Sequence, residues 1–132
     1  MKNYKTFIEK EPSAIATVVS RKGNLCYEVL LISYFENDSN EHQKLLFNFF
    51  NSCTAAMSNN TKMKSLTNKD VTALYSEKDP SAITTVCDKE NNPLYKMILV
   101  SHAKNDKAYE GHLNRFAESC FVIEKLMHID EI

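Results

Sequence analysis

The chain has 132 residues, 43% of them apolar and 25% charged, with a formal net charge of −1. These are the values of one globular domain, long enough to bury a core without metal or disulfide staples. Near-zero net charge, and fourteen lysines against two arginines, supply neither a global field nor planar forks for phosphate, so nucleic acid is not an expected partner.

In chain order, residues 3–10 predict a short helix with Tyr4, Phe7 and Ile8 on one side, stopped ahead of Pro12. Ala14 to Ser20 is rich in β-branched residues and predicts a strand. Arg21 to Asn24 predicts a turn, with Gly23 free to take a positive φ. Leu25 to Phe35 returns as a long, nearly continuous apolar run, the pattern of a central strand covered on both faces. The polar loop Glu36 to Asn40 offers Asp38, Ser39 and Asn40 as helix caps. From Glu41 to Met57 the spacing predicts a helix with Leu45, Leu46, Phe49, Phe50, Cys53 and Met57 on its buried face and Phe47 off it. Ser58 to Asp70, the most polar stretch, is expected to be a mobile linker.

Val71 to Glu77 has the composition of a strand but aligns with the N-terminal helical stretch, so both readings stay open. Ser81 to Cys87 and Leu94 to His102 predict a second hairpin, with Pro93 at the turn exit, where a missing amide donor is tolerated. A last helix from about Lys107 to Met127 is expected to bury Leu113, Phe116, Ala117, Cys120, Ile123 and Met127. Gly111 weakens its first turns, and its small size suits close packing on the sheet.

The two hairpins are related. Shifting residues 9–38 by 68 positions onto 77–106 aligns them without a gap, with fourteen identities in thirty positions. Such a match predicts a tandem duplication within a single domain, about 9–58 and 77–126, with the two hairpin-plus-helix units related by a pseudo-two-fold axis. The implied fold class is α+β, an antiparallel sheet of four or five strands from two related hairpins, each followed by a helix.

Little in the chain has the local spacing of a reactive site. Cys26, Cys53, Cys87 and Cys120 are isolated, without the short separations of a zinc knuckle or redox dithiol, and are expected to be buried free thiols. His112 and Cys120 sit eight residues apart on one predicted helix, about 12 Å of rise, too far for a nucleophile pair. His42, His102, His112 and His128 have no i, i+4 partners among themselves, and His112 with Asp106 or Glu110 lacks a third ligand. They are expected to be structural or solvated, with no metal and no cofactor. Two glycines, Gly23 and Gly111, far apart, make no phosphate loop. The carboxylates around Glu9, Glu11, Glu77 and Asp79 alternate with lysine and suit solvated turns. What stands out is surplus aromatic surface at Tyr34, Phe35 and Phe47, the candidate protein interface, although a sheet covered on both faces accounts for part of it.

The second unit carries a resemblance. Asn92-Pro93 and Tyr95 in ITTVCDKENNPLYKMILVSH, with His112, Leu113, Asn114 and Phe116 in the helix, are similar to the opening of sedlin-type subunits of the TRAPP tethering complex. FIEKEPSAIATVVSRKGN resembles the leading helix and hairpin of a roadblock domain. In two respects the chain departs from these families: the sedlin-like stretch lies at its C-terminal end, and the gapless duplication is not a feature of either. The resemblance implies a longin/roadblock-like fold and a non-catalytic adaptor or assembly subunit in vesicle transport or small-GTPase regulation. It carries over no binding residue. The expected partner is another protein, a small GTPase among the possibilities, or a second copy of the chain in a dimer. The rival expectations are a secretion-chaperone-like α/β dimer holding a client protein, and a small thiol- or histidine-dependent enzyme. No run of about twenty apolar residues predicts a membrane span, and no leader is apparent, so a cytoplasmic location is expected.

Overall fold

A computed structural model describes residues 12–67 and 80–127. The expected helix at 3–10 and the ambiguous stretch 71–77 lie outside the described residues. The elements run β1 (Ala14–Ser20), β2 (Leu25–Ser33), α1 (Asn40–Ala56), β3 (Thr61–Thr67), β4 (Ala82–Cys87), β5 (Pro93–Ser101) and α2 (Asp106–Met127). Five antiparallel strands form one sheet in the order β3-β1-β2-β5-β4, and the fold is α+β.

β2 is central, as its apolar run predicts, and from Tyr27 to Ser33 every residue is buried. The alternation of a pleated strand sends Tyr27, Val29 and Leu31 to one face and Leu30 and Ile32 to the other. The first face joins Tyr95, Met97 and Leu99 of β5 and receives both helices through Leu45, Phe49, Phe116 and Ile123. On the opposite face Ile15, Leu30, Ile32, Ile98 and Val100 form a second, smaller buried cluster.

One expectation fails at Ser58–Asp70. The stretch read as a mobile linker contains β3, which pairs along its whole length with β1. Polarity misled because an edge strand with one wet side needs little apolar surface, and lysine suits such an edge. The helix faces also need correction. Ala117 is exposed, and Leu46, Phe50, Met57 and Leu113 are only half-buried. These residues flank the stripe that touches the sheet, and the half-buried ones border α1 and α2 where the helices are wet.

The hairpins repeat one another in detail. Pro12 and Pro80 precede serines whose amides donate to Leu31 O and Leu99 O, each at 2.7 Å. A register irregularity falls at Val18/Val19 and again at Val86/Cys87, 68 residues on. β2 and β5 pair so that Tyr27 faces Ser101 and Ser33 faces Tyr95, a pairing that the 68-residue shift maps onto itself. Leu30 and Ile98, equivalent residues, face each other at the middle of that ladder. The strand register is thus symmetric about this pair.

Candidate functional site

The polar groups that come together lie at the two ends of the central β2–β5 ladder. At one end Ser101 Oγ is 2.7 Å from His112 Nδ1 and accepts a bond from the Ala103 amide, while the Ser101 amide donates to Ser81 Oγ. At the other end Ser33 Oγ is 2.9 Å from His42 Nδ1 and accepts from the Phe35 amide, while the Ser33 amide donates to Ser13 Oγ. Each histidine comes from the helix that follows its strand. His42 stands in the first turn of α1, whose start is fixed by Ser39 Oγ accepting from the His42 amide. His112 stands one turn further along α2, which is capped by Asn105 Oδ1 accepting from the Ala108 amide.

A serine hydroxyl against an imidazole is the beginning of a nucleophile–base pair, provided a substrate can reach it. Here both serines are buried, and at one end His42 is itself only 1% exposed. Each hydroxyl also holds a backbone amide where its strand ends. An arrangement made twice, once where nothing can enter, is a fastening of helix to strand end. It satisfies the groups left over when β2 and β5 leave the ladder.

The end carrying His112 is the more open one. Its ring lies 4.9 Å from Tyr27, centroid to centroid, and borders a cleft of about 190 Å³ with Cys26, Ser58, Gly111 and Arg115. A neighbouring shallow cavity of about 270 Å³ adds Leu25, His102 and Lys104. Two of the polar heads that line them are engaged. Arg115 Nη1 donates to Ala56 O at 3.1 Å, tying α2 to the end of α1, and His102 Nε2 pairs with Glu28 at 3.0 Å. Burial pushes the Tyr27 hydroxyl up to about 12, with the Cys53 thiol adding to the rise and Arg115 opposing it, so the phenol stays neutral at physiological pH. Gly111 was expected to allow close packing on the sheet. Instead a Cβ there would meet nothing within 4 Å, and the residue faces the cleft. No three His, Cys, Asp or Glu side chains group to hold a metal among the described residues.

The opposite face of the ladder repeats too, with its chemistry changed. The equivalent of the Glu28–His102 pair is Lys96, whose Nζ lies 5.9 Å from the centre of the Tyr34 ring. Tyr34 is therefore half-buried beside the smaller core cluster. Phe35, next in the chain, packs against the main core on the helix-covered side. Phe47 stands on the outer side of α1, 68% exposed. The three residues proposed as one interface are thus in three different surroundings, and Phe47 alone presents most of its ring to solvent. An aromatic missed from the sequence, Phe121 on α2, is 58% exposed beneath the Lys125 ammonium, which is 4.6 Å from its ring centre.

The cysteines are free. Cys53 and Cys120 are buried between the helices and the sheet, as expected, whereas Cys26 and Cys87 are half-buried. Burial raises the Cys53 thiol to about 12 and the Cys120 thiol to about 11, which leaves both unreactive near neutrality.

Comparison with protein-family models, with curated proteins and with solved structures gives no match. Among the described residues, no helix is long and apolar enough to cross a membrane.

Proposed function

We propose that the chain is a non-catalytic adaptor or assembly subunit that acts by binding another protein. The observation that carries this reading is the exposure of two phenylalanines, Phe47 at 68% and Phe121 at 58%, on helices whose other phenylalanines, Phe49, Phe50 and Phe116, pack in or against the core. Aromatic rings with so much of their area in water are favourable anchors for a partner, because docking removes that area from solvent. The Ser–His pairs support the non-catalytic half of the proposal, since their hydroxyls are occupied in closing strand ends. A role in vesicle transport or small-GTPase regulation rests on the sedlin- and roadblock-like residues alone. The longin/roadblock-like fold and the descent of the two units from one duplicated hairpin and helix are proposed on the same footing. The repeated register, turns and serines favour duplication.

The test is affinity capture from the native host with wild-type protein and with Phe47→Asp, followed by reconstitution with the purified partner. A partner retained by the wild type and released at least about tenfold faster by Phe47→Asp supports the reading. A turnover activity of the wild type that is lost in His112→Ala, with no partner recovered, overturns it.

A further inference from the structure

β1 and β4 are equivalent strands, with Ala14/Ala82, Ile15/Ile83, Thr17/Thr85 and Val18/Val86 identical at the 68-residue shift. They do not have equivalent surroundings. β1 is paired on both sides, with β2 and with β3. β4 pairs with β5 alone, and among the described residues its outer edge has no neighbour. The consequence shows in the side chains: Ile15 is fully buried while Ile83 is 41% exposed. Thr85 is likewise exposed where Thr17 is half-buried. Among the described residues, the second unit has no strand in the place that β3 takes in the first.

The two sheet edges differ in how they meet this situation. β3 presents Lys62 and Lys64, both exposed, the usual protection of an edge against further pairing. β4 reads AITTVC, with no charge, no proline and four β-branched residues in its middle. It is an edge with the protection left off. Over its inner face lies α2, whose Cys120 shares the main core with Val86 of β4. The residue after Cys120, Phe121, leaves α2 on a different side from Arg115, the residue that reaches α1.

Resting on the protein-binding reading above, we infer that β4 is a homodimer interface, pairing antiparallel with β4 of a second copy of this chain. A two-fold axis perpendicular to the sheet makes two β4 strands antiparallel by symmetry, the sense in which β3 meets β1. A two-fold of this kind passes through a residue that faces its own copy, and centred on Thr85 it sets Thr85 opposite Thr85, a favourable cross-strand pair on the exposed face. On the same face Ile83 of each copy gains Cys87 of the other as its neighbour across the joined sheet. The alternatives fit less well. β3 against its own copy would bring lysines together, and β3 against β4 of the next copy would leave edges that propagate without closing.

The test is the mass of the full chain in solution, by light scattering or sedimentation equilibrium, for wild type, Thr85→Glu and Thr85→Lys. In the sheet Thr85 lies opposite Lys96, so Thr85→Glu gains a partner within its own chain and folds normally. Wild type is expected at twice 15.1 kDa, each variant alone at 15.1 kDa with an unchanged far-ultraviolet spectrum, and an equimolar mixture of the two variants back at twice 15.1 kDa. The mixture also shows that both variants are folded. A wild type that stays at 15.1 kDa overturns the dimer, as does a Thr85→Glu protein that stays dimeric. If the dimer survives Thr85→Glu and separates in Phe47→Asp, the β4 assignment fails while the protein-binding reading stands.

Discussion

Positive backbone φ angles occur at Gly23, at +90°, and at Asn91, at +68°, 68 residues apart in equivalent turns. In each turn the amide at this position donates to the carbonyl three residues earlier, Gly23 to Ser20 and Asn91 to Asp88. Asparagine is the residue after glycine that best accepts this conformation. Gly23→Asn is therefore expected to leave the denaturant midpoint nearly unchanged, while Gly23→Val, β-branched, lowers stability by about 1–2 kcal/mol. The other hairpin has a further fastening, since Asp88 accepts from the Asn92 and Glu90 amides, bonds that hold its carboxyl below the usual range. In the core, Phe116→Ala is expected to cost about 3–5 kcal/mol. Phe50→Ala, at a half-buried ring, is expected to cost clearly less, and chemical denaturation of the two variants compares them directly.

Burial of the Cys53 thiol has a consequence that can be read from pH. Its value is raised from 9.0 to about 12, so between these limits the unfolded chain has lost a proton that the folded chain keeps. Stability is then fully present below about pH 9 and falls as pH rises toward 12, by up to about 1.4 kcal/mol per pH unit from this group. Cys53→Ala removes that contribution, and its stability curve is expected to be flatter than the wild type's over the same window, whatever its offset at pH 7.

At the scale of elements, the long apolar run of β2, the serine cap of α1 and the two hairpins were legible because periodicity and turn chemistry are local signals. β3 was not, since a polar edge strand has no periodic apolar face and is specified by its partner β1. The helix faces were half-legible: spacing placed Phe49 and Phe116 correctly but could not show how wide the buried stripe would be. The Ser–His fastenings had a partial signal. Ser13/Ser81 and Ser33/Ser101 are identities in the repeat, but His42 and His112 are 70 residues apart and escape a gapless shift of 68. The spacing Phe-x-x-Ser-Cys recurs at Phe49–Cys53 and Phe116–Cys120, shifted by 67, and marks where the second copy of the loop changes length. In both helices this serine donates to the carbonyl three residues before it, Ser52 to Phe49 and Ser119 to Phe116. Within α2, Gly111 has open space where a side chain would go. Gly111→Ala is accordingly expected to raise the melting temperature, with a gain of about 0.5–1 kcal/mol from helix propensity.

For the molecule as a whole, the register symmetry about Leu30 and Ile98 puts β2 and β5 at the centre that both hairpins share. Each is paired on both sides, and their inner residues are covered on both faces. A local opening cannot release these strands without separating the two units, so their amides should exchange only by global unfolding. β3, paired on one side and followed along its outer edge by solvent-exposed lysines, should open first. Hydrogen exchange is expected to rank β2 and β5 slowest and β3 fastest of the strands; fast exchange in β5 alone would mean that the two units unfold independently. The same centre predicts a coupling. Leu30→Ala and Ile98→Ala should each cost about 2–5 kcal/mol, since both side chains are fully buried. Because the residues face each other directly, the double variant should cost less than the sum, the second truncation enlarging a cavity already opened by the first. Costs that simply add would show that the two residues do not share one packed centre and that the symmetry is only one of backbone register.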